Sequence, residues 1–354
     1  EHLHKYEHVD GIVPLSHSYG CGVAINAPDA EIPIRTVRNI AKNPNFGDCK
    51  IVVGLGCEKL SKELLDLEGS HYINLQDEDM KDFQSMLSKL VNYILKKLEL
   101  INMRRRVPCP LSDLVIGVQC GGSDMFSGLT ANPLVGHISD TLVSTGGTAL
   151  FSEITEVRDA IEFIVERCSN QNVFEKLVNA MTWYENYLRK GEVSTAANTT
   201  PGNRAGGLSN IREKALGSII KSGTTNIEDV LLPGEKVRKK GLNFLAGPSS
   251  DFVCGTMFLA AGANLQLFTT GRGTPYNLQG LPTIKISSNT PLYDKWSDII
   301  DLDSGRLVES GNDLQHMSKE LLDLIVKVAS GKKTLAEENK LFNQITLFNP
   351  APIT

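Results

Sequence analysis

Cys120, Gly121, Gly122, Ser123 and Asp124 set a thiol, a hydroxyl and a carboxylate around two glycines. Glycine lets backbone approach a ligand closely, and the three side chains bring polar atoms to the same place. The stretch before them, Leu114 to Val118, is a short apolar run rich in β-branched residues. It is too short for a helix and reads as a strand buried on both faces, as in a parallel sheet. Polar residues just past the carboxyl ends of such strands are where open α/β sheets bind ligands. The same letters also suit a tight turn over a buried thiol, and for this stretch alone both readings stand.

The arrangement recurs along the chain. Gly11–His17 runs into Ser18–Gly22, and Lys50–Cys57 runs into Glu58. Leu150–Glu153 leads to Thr155 and Glu156, and Leu242–Ala246 ends in Gly247–Asp251. Leu265–Thr270 ends in Gly271–Pro275, and Thr283–Ile286 ends in Ser287–Asn289. Most of these runs are separated by enough chain for a helix. One predominantly parallel sheet, a Rossmann-like variant flanked by helices with a reactive carboxyl edge, accounts for all of them.

The 354 residues are enough for one large α/β region or two ordinary domains. A net charge of -5 argues against nucleic acid as the principal partner, because phosphate binding needs a basic face. Arg104–Arg106 reads as a solvated surface cluster. No apolar stretch is long enough to span a bilayer and no signal peptide is visible, so a cytoplasmic enzyme is expected. Seven cysteines in a chain of this length do not make a disulfide scaffold. Cys21, Cys57 and Cys120 each follow a strand-like run beside glycine. Without a Cys-x-x-Cys, any metal site they share must be assembled by the fold.

Between the strands, Asn26–Ile40, Met80–Leu100 and Asn132–Thr145 read as helices. His137 lies inside the third, where a packed or surface histidine is the simpler reading. Roughly 157–240 reads as a mostly helical and loop-rich insert. Within it, Gly191–Leu208 is a long loop of the kind that often carries function. Asn210 caps a helix over Ile211–Ser222, with Glu213 placed as in a capping box. Lys214, Ser218 and Lys221 share one stripe of it, spaced by four and then three residues. That stripe suits a solvated edge, or two lysines presented to a dianionic ligand. His316–Ser330 is the last amphipathic helix. Glu1–Val9 reads as the tail of an element that begins upstream.

Several multi-residue blocks resemble the galactarate and altronate dehydratase family of sugar-acid dehydratases. They are Ser18–Pro28, Val53–Lys59, Gln119–Asp124 with Gly128 and Thr130–Pro133, Phe151–Glu156, Pro201–Leu208 with Glu213–Gly217 and Lys221–Gly223, Phe268–Pro275 and Phe348–Thr354. The resemblance covers essentially the whole chain. Ala24–Pro28 and the C-terminal ending are similar to the galactarate branch. The resemblance implies that residues 1–354 are the α/β catalytic region of a longer chain, whose small β-rich N-terminal module is absent here. It implies dehydration of galactarate to 5-dehydro-4-deoxy-D-glucarate with Fe2+ or another divalent cation. Altronate dehydration, or the large subunit of a two-part lyase such as a sulfolactate sulfo-lyase, is the alternative. A nicotinamide-linked oxidoreductase is excluded by the lack of a Gly-x-Gly-x-x-Gly after the first strand.

Removing a proton next to a carboxylate needs a base and an electrophile to hold the developing charge, and the departing hydroxyl needs an acid or a metal. Within the resemblance, His17 is the leading acid/base, with Glu213 beside it and Lys214 as base or enolate stabiliser. Ser123 and Asn203 are expected to hydrogen-bond the substrate, and Lys221, Arg272 and Thr274 to hold its carboxylates. Cys21, Cys57 and Cys120 are expected to face a metal, with Asp124, Glu153 and Glu156 as alternative ligands. His17, Cys21, Cys57, Cys120 and Glu153 are expected to converge at one sheet edge. A homodimer is expected because closed two-fold association is the commonest oligomeric state.

Overall fold

A computed structural model describes residues 3–17, 19–47, 49–78, 80–191, 199–309 and 313–353. Seven parallel strands form the main sheet: β3 (Val115–Cys120), β4 (Thr148–Ser152), β5 (Ile227–Leu231), β6 (Gly241–Leu245), β7 (Leu265–Thr270), β8 (Thr283–Ser287) and β9 (Leu302–Asp303). Their order is β5-β6-β4-β3-β7-β8-β9. The chain builds outward from β3 in one direction, then returns to lay β7 on its other side. The carboxyl ends of β3 and β7 thus flank a topological switch point, the usual ligand crevice of such sheets.

Alternation along the strands sends apolar side chains to two cores. Ile116, Val118, Ala149, Phe151, Leu265 and Leu267 join one with the helices Ala131–Ser144 and Leu314–Ala329. Leu150, Leu245 and Phe268 join the other with Phe258 of the helix Asp251–Ala261. Gly117 faces that second side because a Cβ there would lie 2.6 Å from the Phe258 ring. Burial of both faces explains the continuous apolar runs.

Two expectations fail here. The Lys50–Cys57 run does not join the main sheet: β1 (Ile51–Gly54) pairs only with β2 (His71–Asn74) in a separate parallel pair. Gly11–His17 forms no strand: Ile12 within it is 47% exposed, and only Leu15 packs half-buried against the second core. The stretch 157–240 also supplies β5 at the sheet edge. The helices Gln171–Arg189 and Ile211–Ile220 fall within the expected spans. Residues 192–198 of the Gly191–Leu208 loop lie outside the described residues. The N-terminal part is tied to the body through Glu31–Ala41: Arg35 Nε donates to Pro233 O at 2.8 Å, and Asn39 Nδ2 to Gly234 O at 2.8 Å.

Candidate active site

Strand β3 ends on Cys120, whose side chain is 4% exposed, and β4 ends one residue before Glu153. Glu153 has φ +79°, a left-handed backbone rarely adopted by a residue with a Cβ. That conformation starts the short helix Ile154–Val157 and brings Glu156 back beside Glu153. The third contributor is the helix Ile211–Ile220, capped by the Asn210 side chain accepting from Glu213 N at 2.9 Å.

Close approach of glycines holds this helix in place. Gly128 and Gly217 pack with a Cβ at Gly217 only 3.6 Å from Gly128 Cα, and a Cβ at Gly136 would lie 2.2 Å from Ile220 O. Asn132 Nδ2 donates to Gly217 O at 2.8 Å, and Ser139 Oγ to Lys221 O at 3.0 Å. The stripe Lys214, Ser218 and Lys221 therefore faces the sheet edge.

The side chains meet in one buried cluster. Lys214 Nζ pairs with Glu156 Oε1 at 2.7 Å, and Ser218 Oγ donates to Glu156 Oε2 at 2.8 Å. Lys221 Nζ donates to Cys120 Sγ at 3.3 Å and lies 3.6 Å from both Glu153 Oε2 and Glu156 Oε2. Cys120, Glu153 and Glu156 each offer a ligand atom, all within 4.8 Å of one another. Glu153 Oε2 is buried without a hydrogen-bond partner. A thiol and two carboxylates, one with an oxygen unspent, form a donor set that fits a divalent transition metal.

Electrostatics separate the members. Burial pushes the Glu156 carboxyl up, but the charges of Lys214 and Lys221 and the hydrogen bonds from Lys214 and Ser218 prevail and hold it at about 2. Burial and the Glu156 charge raise Glu153 well above the usual carboxylate range. Burial, then Glu156, pushes the Cys120 thiol up to about 11. Burial would lower Lys214, but Glu156 outweighs it and raises its affinity for a proton. Lys214 is thus a retained cation, suited to stabilising negative charge rather than to taking a proton. Of its two expected roles, this environment favours the second.

Asp251 was not among the expected site residues, although its strand-end position was legible. Its carboxyl is raised to about 6 by burial, then by the Glu156 charge. A Cβ at Gly121 would lie within 2.9 Å of both its oxygens, so glycine next to Cys120 makes room for it.

Other expected residues are placed differently. Asp124 is a brace: Oδ1 accepts from Ser127 N at 2.8 Å and Ser288 Oγ at 2.7 Å, and Oδ2 from Asn289 Nδ2 at 3.1 Å. Asn203 is buried with its amide engaged, Nδ2 donating to Ser123 O at 3.0 Å and Oδ1 accepting from Thr200 N at 3.1 Å. Lys221 is 1% exposed and is spent on the cluster. Glu213 caps its own helix, accepting from Ser209 N at 2.8 Å. Arg272 is exposed beyond β7, beside Gly122, and Thr274 Oγ1 accepts from Tyr276 N at 3.2 Å.

The expected convergence of His17, Cys21 and Cys57 with Cys120 does not occur. His17 and Cys21 line a separate small pocket with Tyr19, Lys59 and Leu347. Cys57 is exposed beside Gln76, at the end of the small sheet. Cys57 stands apart because β1 pairs outside the main sheet, and His17 and Cys21 because the run before them forms no strand. A cleft of about 180 Å³ opens onto the cluster instead, lined by Ser123, Asn132, Lys214, Ser218 and the apolar Met125 and Leu129.

The D-galactarate/altronate dehydratase C-terminal family model matches residues 111–353, the whole of the main sheet. The chain belongs to the galactarate/altronate dehydratase family. The second-domain model of D-galactarate dehydratase/altronate hydrolase matches residues 1–99, the part holding the small sheet. Galactarate dehydratase (L-threo-forming) of Escherichia coli strain K12 is 49% identical over 92% of this chain, which spans 65% of that protein's length. Altronate dehydratase of Bacillus subtilis strain 168 is 36% identical over 96% of the chain and 68% of its own length. The (2R)-sulfolactate sulfo-lyase subunit beta of Chromohalobacter salexigens is 29% identical over 93% of the chain and 85% of its own length. Cys120, Glu153 and Glu156 all lie within the region that the C-terminal family model matches.

Proposed function

We propose that this chain carries the catalytic region of a hydro-lyase that removes water from the sugar diacid galactarate, giving 5-dehydro-4-deoxy-D-glucarate with Fe2+. The observation that carries the reading is the Cys120–Glu153–Glu156 cluster under the Lys214-lined cleft. The 49% identity to a galactarate dehydratase supports the choice of substrate over altronate. Cys120, Glu153 and Glu156 would hold the cation, which when bound supplies Lewis acidity to an α-hydroxy-carboxylate.

The chain's own residues supply the rest. Lys214, holding its proton, stabilises the negative charge that develops on the substrate carboxylate as the adjacent C–H proton leaves. Arg272, exposed at the switch point, takes the far carboxylate with Ser123 and Thr274 beside it. Asp251, near 6, is matched to proton transfer around neutral pH: its carboxylate takes the C–H proton and returns it to the departing hydroxyl, which leaves as water. Met125 and Leu129 add an apolar wall to the crevice. In this reading the protein is a cytoplasmic homodimer. The exposed Phe83, Leu87 and Leu100 of the helix Phe83–Asn102 support an association surface.

Purified protein is expected to dehydrate galactarate under reducing conditions with Fe2+, and to lose turnover with a chelator. Lys214→Met should lower kcat by about 100-fold or more with a smaller change in KM. Turnover indifferent to chelation, or Lys214→Met at full speed, would overturn the reading. The 85% coverage of a sulfo-lyase subunit favours one second reading, the large subunit of a two-part hydroxy-acid lyase. Assays of galactarate, altronate, glucarate and sulfolactate in parallel decide between them.

A further inference from the structure

Behind Glu153, on the side away from the cleft, lies a buried polar chain that the proposed chemistry does not use. Gln119 Nε2 donates to Glu153 Oε1 at 3.4 Å. Gln266 Nε2 donates to Gln119 Oε1 at 2.7 Å. Tyr276 OH donates to Gln266 Oε1 at 3.1 Å, joined by Thr283 Oγ1 at 3.4 Å. Gln119, Gln266 and Thr283 are fully buried and Tyr276 is 1% exposed. Three uncharged polar side chains crossing β3 and β7 inside a packed core cost desolvation that apolar residues would avoid. Their retention therefore needs a reason beyond filling space.

The direction of every bond in the chain follows from its first member. A carboxylate that holds a cation only accepts, so Gln119 presents its NH2 to Glu153 Oε1. Its carbonyl oxygen then needs a donor, which fixes the Gln266 amide, whose own oxygen needs the Tyr276 hydroxyl. Gly255 leaves room for that hydroxyl: a Cβ there would lie 1.8 Å from Tyr276 OH. At the other end Glu153 Oε1 is capped and Oε2, buried and without a hydrogen-bond partner, lies 3.6 Å from Lys221 Nζ in the cluster.

We propose that Gln119, Gln266 and Tyr276 are positioning residues that fix the rotation of the Glu153 carboxylate, reserving Oε2 for a divalent cation. The relay rests on the cation reading of the cluster given above. It acts in series with the left-handed backbone at Glu153, which sets where the side chain leaves β4 while the relay sets which oxygen faces inward. The 3.4 Å first link is the longest of the three in the chain and has the most room to shorten.

The test uses Co2+ as probe under anaerobic conditions, read by calorimetry and by absorption. A thiolate charge-transfer band reports Cys120, and the d–d bands report ligand geometry. Tyr276→Phe removes the terminal donor, whereas Gly255→Ala displaces the same hydroxyl without deleting any hydrogen-bonding group. Both should weaken Co2+ binding by about 10-fold and shift the d–d bands, as loss of a ligand's supporting hydrogen bond does elsewhere. Glu153→Gln should weaken binding further. Thermal melts identify a variant that has failed to fold, and two variants acting on one hydroxyl keep the outcome readable. Wild-type affinity and an unshifted spectrum in folded Tyr276→Phe and Gly255→Ala would overturn the relay alone. A wild type that does not bind Co2+, or a Glu153→Gln variant that binds equally well, would overturn the cation reading and the relay with it.

Discussion

Glu156 is the residue on which the charges of the cluster balance. It is buried beside Cys120 and Glu153, and two lysines keep it ionised. Its carboxyl is held at about 2, below the value of about 4.3 for an unperturbed glutamate. A carboxyl depressed in the folded state contributes stability that is present above the unfolded value. That contribution is lost as pH falls through the folded value. Glu156→Gln should therefore cost about 3–5 kcal/mol near pH 7, since it leaves Lys214 and Lys221 short of a counter-charge. The difference from wild type should shrink between about pH 4.5 and 2. Denaturant unfolding across that range checks it. A difference that stays constant with pH would mean that Glu156 is not the ionised partner of the lysines.

Among the elements, the helix Ile211–Ile220 positions more of the site than any strand, because it carries Lys214, Ser218 and Lys221. Its placement depends on the missing side chain at Gly136, where a Cβ would meet Ile220 O at 2.2 Å. Backbone cannot yield as a flexible side chain can, so Gly136→Ala should push the helix outward. Expected are a loss of about 1–3 kcal/mol in stability and a several-fold weaker grip on Co2+, checked by melting and calorimetry. Unchanged binding would show that the lysine stripe tolerates the shift. This helix, its Asn210 cap and its lysine spacing were all legible in sequence, because local chemistry encodes them. The strands β3, β4, β7 and β8 were legible for a similar reason, as short runs buried on both faces. Strand β5 was not. Glu228 and Asp229 interrupt its apolar run, and Asp229 is tolerated there because Lys176 of another helix pairs with it at 2.6 Å. The site followed the same division. Glu153 and Glu156 were visible as strand-end carboxylates, but only the tertiary arrangement chooses them over Cys21 and Cys57. Asp251 was visible only as one more strand-end carboxylate, and the Gln119–Gln266–Tyr276 chain leaves no local signal, since its meaning lies in contacts between strands.

Over the whole molecule, burial is unevenly shared between the two matched regions. Nearly every residue of β3, β4, β6, β7 and β8 is buried, whereas β1 and β2 contain only Ile73 in that state. The 20-residue helix Phe83–Asn102 buries Leu98 alone, and its apolar Phe83 is 68% exposed. Local opening is cheapest where few apolar contacts must be given up. The small sheet and this helix should therefore exchange their amide hydrogens well before the main sheet does. Hydrogen-exchange mass spectrometry should find β1, β2 and Phe83–Asn102 exchanging at least 10-fold faster than β3 and β7. The site's ligands lie on the slow side of that division, so Co2+ should protect β4 and Ile211–Ile220 further while leaving β1 and β2 unchanged. The homodimer reading adds a concentration dependence. If two copies meet through Phe83–Asn102, its exchange should slow as protein concentration rises while that of β1 stays fixed. Equal protection of β1 and β3 would show that the N-terminal region opens only with global unfolding. Exchange of the helix that is independent of concentration would remove it as the dimer surface.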